Sequence, residues 1–532
     1  MLLLLTAGVL VGGQARAENE GQEDLDRATE AKLGASKLVD LAKVIELCQS
    51  ALKKGLDEPN TKFANQLLAS THCQRGENVA QTIFAASPPD PNWPQYRRLA
   101  LADLEKSVEL NALQPEAFFR IAQLNLLPGG DAKRAAEALD KSIDLESDNL
   151  RLRTKALTLR ASIQKDPKKK IADLDAAILV RPDDAVALRT RGLEFGKQGK
   201  FEKALADFKA AIKIDPDNAP THEAQAMVLA TMKKYDEALV CLDQAQQLEP
   251  KSVVPLMRRA QVHSLQSNFT AALHDLDQAI AMQPDNVAVL ILQAEVYHTL
   301  NQLDKALAAA DKALALNPKA TMAKRLRAML LADAGKMGAA IDDLQALLKD
   351  DPKNVTLRLQ LALFYYAEKK SQKAIEMFSD ILADDSDNAR ALRGRADALL
   401  GIGKHAEAIA DYEKALKLQP EDSGICNNLA WVLATSPEDK IRDGKRAVKL
   451  ATKACELTKY KKPHILSTLA AAYAETGDMK DAIKWSEKGV ELGSEEQKEP
   501  LTKELKSYRA GKPWREMLPE KEEDDKPPEA KK

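Results

Sequence analysis

From residue 183 onward the chain alternates pairs of apolar, helix-length runs, and each pair is closed by the same punctuation at a constant 34-residue interval. Pro182, Pro216, Pro250, Pro284, Pro318, Pro352, Ser386 and Pro420 mark that interval. Within it, apolar positions recur every three or four residues, the period of a helix with one buried face. The interval Asp183–Pro216 serves as the type: its first helix carries Leu188, Gly192 and Phe195, and its second carries Ala204, Phe208 and Ala211. Small residues hold two registers throughout. Gly192, Ala226, Ala260, Ala294, Ala328, Ala362 and Ala396 form one; Ala204, Ala238, Ala272, Ala306, Ala340, Ala374 and Ala408 form the other. Helix axes approach to about 8–10 Å only where the crossing side chains are small, so the two registers predict antiparallel helical hairpins. A repeat of this length is the mark of a stacked array.

Turn chemistry agrees with the periodicity. Asp217-Asn218, Asp285-Asn286 and Asp387-Asn388 precede first helices, where their side chains can cap free N–H groups. Gly199, Gly335 and Gly403 fall between paired helices, where positive φ is often needed.

The same reading divides the rest of the chain. Residues 1–17 read as a signal peptide: Leu2 to Val11 is a short apolar run, and Ala15-Arg16-Ala17 has the form of a cleavage site. Its flank is atypical, with no Lys or Arg before the apolar run. That predicts an exported protein, periplasmic or extracellular. Residues 18–37 are charged and unpatterned, a flexible lead-in. Residues 38–98 hold degenerate helical repeats with a proline-rich loop at Pro88–Pro94, residues 99–182 early repeat units, and residues 183–420 the regular array. Residues 421–495 form a C-terminal cassette whose first turn is lengthened by the insert Glu438 to Lys445. A solvating cap helix is expected over 496–518, and a disordered charged tail over 519–532.

Composition narrows the function classes. Aromatics are 4% and charged residues 30% of the chain, with a net charge of −2 and both signs interleaved. That is helix composition without the basic face of a nucleic-acid binder. The apolar run at the start is too short to span a bilayer. Five cysteines, Cys48, Cys73, Cys241, Cys426 and Cys455, show no C-x-x-C pair and no zinc spacing. Cys48 and Cys73 lie on neighbouring predicted helices and could bridge, or serve as small buried hydrophobes. His263, His274 and His298 are near enough in sequence for a metal site to be conceivable, but lack H-E-x-x-H spacing. Gly401-Ile402-Gly403-Lys404 lacks the full phosphate-loop pattern, and no G-x-S-x-G occurs. No catalytic, cofactor or metal residue is therefore assigned, and the chain is read as a non-enzyme.

At this point the chain resembles the tetratricopeptide repeat (TPR) family. Its pattern W-x2-L-G-x2-Y…A-x3-F…P is met by Leu188-x2-Arg191-Gly192-x2-Phe195…Ala204-x3-Phe208…Pro216. The Trp position is usually Leu here and the Gly position usually Ala, both keeping the packing role. The stretches Leu429 to Thr435, Arg442 to Lys445, Ala454 to Thr458 and Leu469 to Tyr473 resemble a C-terminal TPR cassette of exported bacterial proteins. The resemblance implies an all-α superhelical solenoid of about a dozen hairpins that binds peptide or protein partners in a concave groove lined by first helices. Carried onto this register, the groove would include Arg189, Leu193, Met227 and Val254, then Met257, Arg258, Gln261 and Ile291, and then Glu295, Met322, Arg325 and Met329. Its methionines suit an adaptable binding surface, or fill gaps between helices. A clamp for a terminal carboxylate is disfavoured, because Arg393 is followed one turn later by Asp397. The expected function is a protein-interaction scaffold; the alternative is an accessory subunit of an envelope enzyme or a secretion or assembly complex.

Overall fold

The computed structural model describes residues 20–85, 90–145 and 148–516. The expected signal peptide, the charged tail at 519–532 and Pro88-Pro89 of the proline loop lie outside the described residues. Those residues are all-α, with no strand among them. The chain divides into two compact units, Met1–Ser267 and Asn268–Lys532. Each is a run of antiparallel hairpins in which every helix packs on the next.

In the first unit Gln22–Gly34 pairs with Leu38–Lys54, and Glu58–Ala85 with Trp93–Leu110. Four further pairs follow: Pro115–Asn125 with Ala132–Asp144, Leu150–Ile163 with Pro167–Val180, Ala185–Lys197 with Phe201–Ile214, and Ala219–Thr231 with Tyr235–Leu248. Helix Val254–Leu265 ends the unit. The lead-in expected to be flexible over 18–37 is instead largely helix Gln22–Gly34, with Leu25 and Ala28 buried. Asp24 of this helix is held by Lys54 at 2.7 Å and Ser50 at 2.6 Å. Two apolar residues in a charged stretch make a stripe too short to show as periodicity, yet enough to dock one helix on its neighbour.

The second unit opens with Phe269–Met282. It continues as Val287–Thr299 with Leu303–Leu316, Thr321–Asp333 with Met337–Asp350, Val355–Ala367 with Ser371–Asp384, and Ala389–Gly401 with His405–Leu418. The cassette follows: Ser423–Thr435 with Gly444–Leu457, the expected insert forming a short 3₁₀ turn at Asp439–Ile441, then Pro463–Glu475 with Met479–Leu492. The cap helix runs Glu495–Arg509, shorter than the expected 496–518, and is not merely solvating. Leu501, Leu505 and Tyr508 are buried, Tyr508 completely. Beyond it the chain turns back, and the Glu516 N–H donates to the Thr435 carbonyl at 2.9 Å.

Both small-residue registers are fully buried where they are alanine, from Ala204 through Ala408 and from Ala226 through Ala396. The expected caps form: Asn218, Asn286 and Asn388 each accept a backbone N–H of the following first turn. Between paired helices one conformation recurs. Gly199, Gly335 and Gly403 have φ of 72°, 73° and 76°, and Lys233, Asn301 and Lys369 take the same place at 62°, 55° and 58°. In each case the next N–H reaches back to the carbonyl five residues earlier, as Lys200 does to Phe195 and Lys370 to Tyr365, both at 2.9 Å. That bond satisfies a helix-end carbonyl and fixes the reversal, so even a non-glycine residue is held in the left-handed region.

A second, slower rhythm runs under the proline ladder. Arg191, Arg259, Arg327 and Arg395 recur in every second repeat, as do Asp207, Asp275, Asp343 and Asp411. Arg191, Arg327 and Arg395 each grip the aspartate of their own hairpin through two bonds of 2.7–2.8 Å. Each also reaches the preceding hairpin: Arg191 meets Asp175, Arg327 meets Asp311, and Arg395 meets Ser379. Arg259 reaches Asp243 in the same way. The intervening repeats place Gln225, Gln293 and Leu361 at the arginine position, and Cys241, Ala309 and Met377 at the aspartate position. Paired, planar charge recognition thus ties three helices together in alternate repeats.

Candidate functional site

The groove residues read from the sequence all fall on first helices. In the first unit Arg189 and Leu193 lie one turn apart on Ala185–Lys197, Met227 lies on Ala219–Thr231, and Val254, Met257, Arg258 and Gln261 lie on Val254–Leu265. Leu193 and Val254 are 43% and 40% exposed. The two arginines are engaged locally, Arg189 with Asn218 at 3.0 Å and Arg258 with Gln261 at 3.0 Å. In the second unit Ile291 and Glu295 share a face of Val287–Thr299, and Met322, Arg325 and Met329 share a face of Thr321–Asp333. Ala323, Leu326, Ala328 and Leu330 of that last helix are buried, whereas Met322 is 60% exposed.

A site the sequence reading did not find lies further along the second unit. A cavity of about 670 Å³ opens on the first helices Ala389–Gly401, Ser423–Thr435 and Pro463–Glu475 and is walled by the cap helix and Glu516. Asp397 is central to it. Its carboxylate accepts the Tyr412 hydroxyl in a short bond and the Asn428 amide at 2.9 Å. From the cap helix, Glu504 accepts the Ser467 hydroxyl at 2.5 Å and is itself buried. His405, 3% exposed, shares a hydrogen at 2.8 Å with Ser436. Trp431 and Tyr366 supply aromatic surface.

The electrostatics of this cavity are one-sided. Among the described residues its lining includes Asp397, Glu496, Glu504 and Glu516, with His405 and His464, and no lysine or arginine. Burial pushes the Asp397 carboxyl above its ordinary value against the opposing bonds from Tyr412 and Asn428. Burial also raises Glu504 against its bond from Ser467, and Glu516 against His405 and Trp431. A carboxyl raised by folding favours its neutral form, so stability present at low pH is lost as pH rises through the raised value. Nearby arginines are committed elsewhere: Arg393 to Asp422 at 3.6 Å, and Arg515 to Glu475 at 2.6 Å.

Comparison with known families bears on what such hairpins are for. Family models described as tetratricopeptide repeat match residues 185–218, 257–321, 331–398 and 389–422. Over these stretches the chain carries tetratricopeptide repeats. No match was found among curated proteins. Among solved structures, a TPR protein from Parabacteroides merdae is 17% identical, with 48% of this chain and 98% of that one covered at a TM-score of 0.38. The Cut9–Hcn1 hetero-tetramer of the APC/C is 14% identical, with 81% and 93% covered at 0.37. The P58(IPK) TPR domain is 17% identical, with 68% and 97% covered at 0.29.

TPR proteins are in general non-catalytic interaction scaffolds, and the other chemistry weighed from this TPR sequence finds ordinary roles. His298 bonds Asp333 at 2.7 Å, and His274 bonds Gln278 at 3.0 Å. Among the described residues no group of three or more His, Cys, Asp or Glu side chains is placed to hold a metal. All five cysteines are free, Cys48 and Cys73 included. Burial pushes the Cys48 thiol up to about 11 and the Cys455 thiol up to about 12, the behaviour of inert packing thiols. Gly403 of the phosphate-loop look-alike is the left-handed turn residue between two helices. Among the described residues no helix is long and apolar enough to cross a membrane.

Proposed function

We propose that this TPR protein is a non-catalytic scaffold that captures an extended peptide or protein segment along the exposed faces of its first helices. The observation that carries the reading is the face Met322–Arg325–Met329. It leaves two thioethers, 60% and 37% exposed, opposite a fully packed helix side. Adaptable methionines beside an arginine suit a partner segment that mixes apolar and acidic residues. Met322→Asp with Met329→Asp should leave the helical circular dichroism and melting curve intact, because neither side chain is buried. Recovery of partners by affinity capture from envelope extracts should fall by about tenfold, the loss of one interface hot spot. Undiminished capture would sink the assignment of this face.

We further propose that the protein is exported, supported by the apolar run Leu2 to Val11 and by Ala15-Arg16-Ala17. N-terminal sequencing of envelope-derived protein should then begin at Glu18. An N-terminus that retains the apolar run would contradict it.

A further inference from the structure

Three features of the cavity at the cap helix set it apart from a gap between helices. It sets carboxyl and amide groups beside aromatic surface, it is built from both the array and the cap, and its acceptors outnumber its donors. Asn427 makes the last point directly: the residue is 8% exposed and lines the cavity, and its amide oxygen has no hydrogen-bond partner. Its Nδ2 is spent on Asn428 at 3.0 Å. One oxygen of Glu516 is likewise buried and unpartnered. Orphaned buried acceptors cost stability unless something donates to them.

We propose that the cavity receives a cationic side chain, arginine above all, from an extended segment of a partner protein, seated between Asp397, Glu504 and Glu516 with N–H groups directed to the Asn427 oxygen. A guanidinium brings five donors and no acceptor, the complement of this lining. Its planar face suits the aromatic surface of Trp431. The volume, about 670 Å³, lies in the range of ligand-holding clefts and admits the side chain with flanking backbone. Burial has raised all three carboxyls, so their ionised forms lack solvation, and a bound cation offsets that loss. Retaining these acids where neutral residues would be more stable is what a binding site costs. The polarity is opposite to that of a carboxylate-gripping clamp. The cavity also lies on helices other than the methionine face, so the inference stands without that reading.

The test is calorimetric titration of the full chain with a capped Gly-Gly-Arg-Gly-Gly peptide and with its citrulline counterpart, which keeps the shape and loses the charge. The arginine peptide should bind, and the citrulline peptide should bind at least about tenfold more weakly. Asp397→Asn with Glu504→Gln keeps acceptors for Asn428 and Ser467, and should lower arginine-peptide affinity by at least about tenfold while leaving the melting temperature equal or higher. Asn427→Leu should weaken it too, and Met322→Asp with Met329→Asp should leave it unchanged. Equal binding of the two peptides, no heat from the arginine peptide, or full binding by the Asp397/Glu504 variant would each overturn the proposal. Loss of binding only in the methionine variant would move the site to that face.

Discussion

Arg327→Leu should cost the second unit about 3 kcal/mol, read as a lowered denaturation midpoint. Arg327 holds Asp343 through two bonds of 2.7 and 2.8 Å and Asp311 through a third of 2.8 Å. The Asp343 side chain is only 10% exposed, so removing the guanidinium leaves a largely buried carboxylate without its charge partner. Burial supplies its penalty, and nothing nearby replaces the two charge-assisted bonds. The alternation of repeats provides its own control. One repeat later Leu361 and Met377 occupy the two positions, Leu361 buried and Met377 packed against the core. Arg327→Leu with Asp343→Met should therefore recover most of the loss, because an apolar pair of suitable volume replaces a buried ion pair at little cost. If the double variant is no more stable than the single one, the ion pair is not interchangeable with its neighbour's solution and the alternation has another cause.

The second large effect reverses an ordinary rule. Gly→Ala inside a helix usually stabilises by up to about 1 kcal/mol, but Gly394→Ala should destabilise by about 2 kcal/mol. A Cβ at position 394 would stand 2.3 Å from Phe378 Cζ and 2.6 Å from its Cε1. Phe378 is completely buried and has no room to yield. Within a single hairpin, a Cβ on Gly192 would likewise come within 2.7 Å of the Phe208 ring. One repeat before Phe378 and Gly394, the positions hold Leu344 and Gln360, so a smaller apolar residue tolerates a side chain opposite it. Gly394→Ala with Phe378→Leu should accordingly be more stable than Gly394→Ala alone in thermal melts. A stabilised single variant would show that the ring can move.

How much of this was legible in advance divides along physical lines. The 34-residue interval, the buried small-residue registers, the asparagine caps and the left-handed turns were all readable, because each follows from local backbone chemistry repeated many times. The ion pairs were not seen. Arg191 and Asp207 sit among charges on almost every helix, and periodicity of apolar residues says nothing about which charges are buried. A signal was present all the same, in the recurrence of both residues in every second repeat. Helix Gln22–Gly34 was missed because two buried residues, Leu25 and Ala28, carry its packing. The cavity was missed for a different reason. Asp397, Asn427, Ser467, Glu504 and Glu516 are separated by long stretches of chain and follow no motif.

The sequence by itself therefore determined the hairpin, its turn, and its small-residue crossing, since these depend on residues one or two helical turns apart and are repeated until no other reading fits. Only the tertiary structure decided which charges lost their water and which carboxyls share a cavity. It also decided that the cap helix closes a wall. Burial is a property of several helices packed together, and a single strand of sequence holds no record of it.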